Sequence, residues 1–412
     1  MARNRLHTIK FGFALPMIFI FILMITINLL IDGMRDGFII DTVGMTFLTE
    51  AKAGVYILGF FVFLILISIA KRVALHKIIL TVFLGFPLLI GFFGLVLVPL
   101  IPDNEQTSLL LRYWPIAGYY ILTSFWMAGS FFFFWAFGNN HFSFRQAGYY
   151  YPILLMLSLF MSLFVKNYFD SILVQYTNLP MKFAVVNALV FVIGLVIFVV
   201  YFLMSRNLPN IQHELDSRSD EIDKLFGVRY LITIGMIAFA ISYLAVYSSE
   251  AFGKIAPLDQ LTSTIQTWQL VTIYLLAPLA FVLYILRGKG WRYTAYSVAF
   301  FVIISFFASW VTVQYSNGFS LLGAGIYNVL MSGLLAPFIL ILKEMSFIAV
   351  PKETRFFTKT WVDIFFMGAG MAVANLFFAP LTVLILIVYV VAIHMTGLRI
   401  EKFAPYKKFK PR

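Results

Sequence analysis

Apolar runs about twenty residues long recur from one end of this chain to the other, and they leave few ways to fold. In hydrocarbon every backbone N–H and C=O must find its partner inside the segment, so such a run becomes a helix. The runs fall at 11–31, 53–70, 78–100, 115–137, 151–165, 183–204, 230–249, 267–286, 293–313, 320–342, 362–377 and 379–397. That makes about twelve candidate spans. Asn375 and Pro380 mark the turn needed between the last two. With 62% hydrophobic residues among 412, the chain has too few polar side chains to cover a water-facing surface. The first run is long for a signal peptide core and no small-residue cleavage pattern follows it, so it is expected to stay as the first helix.

Charge gives the orientation. Of 30 Lys and Arg, 24 fall on the side of the membrane that holds both termini. The other six are Arg35, Lys52, Arg112, Lys166, Lys182 and Lys254. By the positive-inside rule both termini are cytoplasmic, which requires an even number of spans. The formal charge of +12 therefore reflects cytoplasmic loops, and no basic stretch carries the stacking aromatics of a nucleic-acid binder. Cys is absent, which excludes disulfides, thiolate metal sites and thiol catalysis. The five His are scattered without ligand spacing, so neither a metal nor a cofactor is expected. No pairing of a nucleophile with a base stands out, so the chain does not read as an enzyme.

One long polar break, 205–229, divides the chain into halves at 1–204 and 230–412, each with six spans. The halves match. Basic loops recur between the second and third and the eighth and ninth spans, at Lys71–Arg72 with Lys77 and at Arg287, Lys289 and Arg292. Polar loops recur after the fourth and tenth spans, at 139–151 and 343–363. The second of these holds four basic and three acidic residues in a chain that is only 12% charged. An all-α integral membrane protein of two six-helix halves, with a long middle loop and cytoplasmic termini, is the plan of a major facilitator-type transporter.

Several stretches resemble the nucleotide transport proteins, the ATP/ADP antiporters of intracellular bacteria and plastids. Leu29–Leu30 and Met34 to Ile40, with Arg35–Asp36, are similar to the end of that family's first helix. Phe134 to Asn140 and Gln146 to Pro152 are similar to its motifs after the fourth helix, and Glu250 with Lys254 to the end of its seventh. Lys343–Glu344–Met345, Thr354–Arg355, Lys359 and Asp363 fit its motif after the tenth helix. Gly368 and Met371 stand where that motif continues with Arg and a Gly-Lys-Ser-Gly run. The resemblance implies a bacterial inner-membrane carrier exchanging or importing ATP, ADP or a related nucleotide by alternating access. Two other readings stay open: a carrier of another anionic solute, driven by protons, and a membrane partner that transports nothing.

A nucleotide is a polyanion with a flat ring, and no G-x-x-x-x-G-K-[ST] loop is present to cradle its phosphates. Cationic side chains would do the binding. Arg35 and Asp36 follow the first run closely, and a continuing helix would turn them toward a cavity. Glu250 and Lys254, four apart, suit a gating or coupling pair. Lys182 opens the sixth span after Pro180, where it can also snorkel to the interface. Lys359 and Asp363 are again four apart, at the mouth of the eleventh span, and Asn139 belongs to the motif after the fourth. Gly368, Gly370 and Ala372 form a small-residue face that lets another helix approach.

Overall fold

A computed structural model describes residues 2–43, 73–100, 109–173, 179–206, 227–255, 290–315, 336–350, 352–376 and 380–403, with isolated positions between 55 and 69. Every regular element among the described residues is helical. In order these are α1 (Ala2–Thr42), α2 (Leu75–Phe92), which runs into a π-helical turn (Phe93–Leu97), α3 (Leu109–His141), α4 (Phe144–Leu173) and α5 (Leu179–Arg206). Then come α6 (Val228–Ile255), α7 (Trp291–Tyr315), α8 (Ala336–Ile348), α9 (Lys352–Thr360), a π-helical segment (Trp361–Phe366), α10 (Met367–Leu376) and α11 (Pro380–Phe403). The span expected at 267–286, most of those at 53–70 and 320–342, and most of the break at 205–229 lie outside the described residues.

Five of these helices are long and apolar enough to cross a bilayer: Ala14–Ile31, Leu75–Leu97, Tyr113–His141, Met181–Arg206 and Leu381–Lys402. The first has a mean hydropathy of 2.6 and the fourth of 3.0. Hydroxyl side chains inside the helices donate to the carbonyl four residues back, as Thr26 does to Ile22 and Ser242 to Ala238. That satisfies them without leaving the helix.

The helices run further than the apolar runs. α1 has 41 residues where the run has 21, so Arg35 and Asp36 lie on its continuing helix. The polar stretch 139–151, expected as a loop, is almost wholly helical. A capping box makes this possible: Gln146 Oε1 accepts from the Ser143 backbone N–H at 3.0 Å and from its hydroxyl at 3.1 Å, while Ser143 Oγ accepts from the Gln146 N–H at 3.4 Å. The stretch 343–363, expected as a polar hairpin at the surface, is also mostly helix and is largely buried. The turn expected at Asn375 and Pro380 includes neither of those residues as loop. Asn375 is still helical, and Pro380 is the first residue of α11, where its missing N–H costs nothing.

The chain forms two compact units, Met1–Phe137 with Leu157–Ile211, and Gly138–Met156 with Gln212–Arg412. In the first, α1 and α2 pack against α5. The approach is close enough that a Cβ on Gly194 of α5 would come within 2.3 Å of the Pro87 ring of α2. In the second, α6 packs against α10 and α11. Gly370 makes that contact, since a Cβ there would lie 2.3 Å from the Phe239 carbonyl oxygen, whereas one on Gly368 would meet nothing within 4 Å. The small-residue face is thus one working glycine rather than a stripe. Trp291, the first residue of α7, is buried and donates to the Leu342 carbonyl at 2.9 Å.

Candidate functional site

In the second unit, charged side chains from three neighbouring pieces of chain meet largely out of contact with solvent. Lys359, on α9, is 1% exposed and donates to both oxygens of Glu344, on α8, at 2.7 Å each. The same ammonium reaches Asp363 Oδ2 one turn on, at 2.5 Å, and lies 4.8 Å from the centre of the Phe347 ring. Lys343 bonds the other Asp363 oxygen at 2.6 Å and stands 3.3 Å from Glu344. Two ammonium groups thus face two carboxylates and the set is neutral. Glu344 accepts further from Asn139 Nδ2 at 2.8 Å, and Asn139 Oδ1 accepts from the Tyr151 hydroxyl at 2.7 Å. Burial pulls the Lys343 pKa down, and the Asp363 and Glu344 carboxylates more than offset it, holding the group above the ordinary lysine range.

Arg355, on α9, lies outside this balanced set and bonds mainly backbone carbonyls. Its Nη2 donates to the carbonyls of Ile348 and Val350 at 2.8 Å each, and its Nε to Val350 at 3.0 Å. Nη1 donates to the Asn139 carbonyl and, at 3.2 Å, to Asn140 Oδ1. The carbonyls at the end of a helix lack intrahelical partners and carry its negative pole. One guanidinium therefore satisfies the ends of α3 and α8 together.

In the first unit Arg35, 9% exposed, extends from α1 to α3. Nη1 donates to Ser124 Oγ at 3.2 Å and approaches Met127 Sδ at 3.3 Å. The guanidinium carbon lies 4.6 Å from the centre of the Tyr120 ring, within cation–π range.

The eight residues singled out from the sequence thus fall in separate places. Asn139, Lys359 and Asp363 come together in the second unit, and Arg35 lies in the first. Lys182 is half-buried at the start of α5. Asp36 is on α1 and Glu250 and Lys254 are on α6, but their side chains lie outside the described residues. Lys359 is engaged by two carboxylates, which is not the open cation expected at a mouth. Sequence reasoning passes over Glu344, Lys343, Arg355 and Tyr151 as site residues. The signal for the first two is plain enough: charges that follow an apolar run directly must find partners.

No family model matches the chain, and no curated protein matches it in sequence. Solved structures do match. A bacterial homologue of the iron transporter ferroportin in the outward-facing state superposes with a TM-score of 0.66 at 12% identity, covering 96% of this chain and 100% of that one. The same description with soaked iron gives 0.65 at 10%, over 95% and 99%. The major facilitator superfamily transporter FucP, in the outward conformation, gives 0.64 at 10%, over 94% and 98%. The chain has the major facilitator fold. It is a multi-pass, all-α membrane protein of that type. The likeness is one of fold alone.

Proposed function

We propose that the chain is a membrane transporter that moves an anionic solute by alternating access, and that nucleotides are the first cargo to test. The observation that carries this reading is Arg35: a buried guanidinium at the end of an apolar helix, held in place by Tyr120 and Ser124. A buried cation in such a helix is costly, and its planar fork suits phosphate or carboxylate oxygens. Lys182 and Lys254 would add positive charge to the anion's route, and Asp36 and Glu250 would couple binding to movement. The halves 1–204 and 230–412 would be the moving bodies, joined by 205–229. The setting would be a cell inner membrane with both termini cytoplasmic.

The deciding experiment is uptake of labelled ATP, ADP and other organic anions into proteoliposomes holding the purified chain. The reading expects saturable uptake of at least one anion, and its loss in Arg35→Ala protein that inserts normally. No uptake of any anion overturns it. A second reading keeps the transporter and replaces nucleotide exchange by proton symport of another anion. It is favoured by Gly368 and Met371, which break the nucleotide carriers' motif. Uptake driven by an imposed pH gradient, with no counter-substrate inside, would select it.

A further inference from the structure

Within the first unit, ring contacts fix the register of α1 against α3. Phe21 lies 4.7 Å from Phe134, 5.5 Å from Trp135 and 5.8 Å from Phe131, centre to centre. Fourteen residues further along α1, Arg35 meets Tyr120, Ser124 and Met127. The two helices are therefore antiparallel. Asn28 lies midway, seven residues from each marker, on the same face of α1. The part of α3 at its level is Met127 to Phe131.

That level is polar and has no matching partner. Asn28 is 7% exposed, and neither its amide nitrogen nor its amide oxygen has a hydrogen-bond partner. Leaving a buried donor and acceptor unmatched is unfavourable, and leucine would fill the same volume without that cost. An amide side chain pairs well with a ring edge that shows a donor next to an acceptor.

Resting on the transport reading, we infer that Asn28 is the neutral subsite of a binding site whose cationic, anion-holding end is Arg35. The rise between the two α1 residues is about 10 Å. The solute class is then an anion that carries, about that far from its charge, a group able both to donate and to accept hydrogen bonds. A nucleotide with an exocyclic amino group meets this description, and inorganic diphosphate does not.

Equilibrium binding of ADP and of inorganic diphosphate to the purified full chain tests the assignment. Wild-type protein is expected to bind ADP at least ~10-fold more tightly than diphosphate. Asn28→Leu should remove that preference and leave diphosphate binding unchanged, with an unliganded melting temperature equal to or above wild type. Arg35→Gln should weaken both ligands. If Asn28→Leu does not fold, Asn28→Ala carries the same expectation. Wild-type protein without a preference for ADP, or an Asn28 variant that keeps it, overturns the subsite. Proteoliposomes that take up some anion under those results leave the transport reading standing, whereas no uptake of any anion removes that reading itself.

Discussion

At the scale of single residues the second unit is governed by charge balance. Lys343 and Lys359 face Glu344 and Asp363 with almost no water to share the load. Desolvating each charge is expensive, and only close, complete pairing offsets it. Glu344→Gln leaves two cations facing one carboxylate, and should cost about 3–5 kcal/mol of stability, read as a fall in melting temperature. Lys359→Met in that background restores neutrality, one cation to one anion. The double variant should therefore be more stable than Glu344→Gln alone, and a further fall would show that Phe347 and Asp363 need the ammonium for other reasons. The charges themselves were legible in the sequence, because nothing else in so apolar a stretch could carry them. Their partners were not, since Asn139 and Glu344 are 205 residues apart.

Helices and their ends make up the next scale. Hydropathy located the apolar cores of the helices but not their limits, because polar residues at a helix end still satisfy their backbone as helix. The Ser143–Gln146 box is such an end, and it was present in the sequence as S-x-x-Q. Ser143→Ala should cost about 0.5–2 kcal/mol, seen as faster hydrogen exchange in the first turn of α4. The glycines make a sharper contrast. Gly370→Ala forces a Cβ against the Phe239 backbone, which cannot yield as a side-chain tip would. It should lower the melting temperature clearly, while Gly368→Ala changes little. Spacing alone cannot tell the two apart, since only packing shows which one meets α6.

The fastening of 138–156 to 343–363 belongs to the whole molecule. These segments lie in the expected first and second halves, and both sit in the second compact unit. If the chain transports as proposed, movement of those halves against each other would have to open the bonds of Asn139 and Arg355. Orientation can be checked because the chain has no Cys. Ser217→Cys in the middle break should be shielded from a membrane-impermeant maleimide in intact cells, and Ser108→Cys between the third and fourth spans should react. The reverse pattern would invert the topology. By itself the sequence determined that the chain lives in a bilayer as helices, and its 24 to 6 division of basic residues gives each loop an expected side. Both follow from local solvation, which each segment meets alone. Only the tertiary structure decided that 343–363 turns inward as a neutral network and that Asn28 is left without a partner on the Arg35 face of α1. Those outcomes depend on which distant helices pack together, and no window of sequence contains that information.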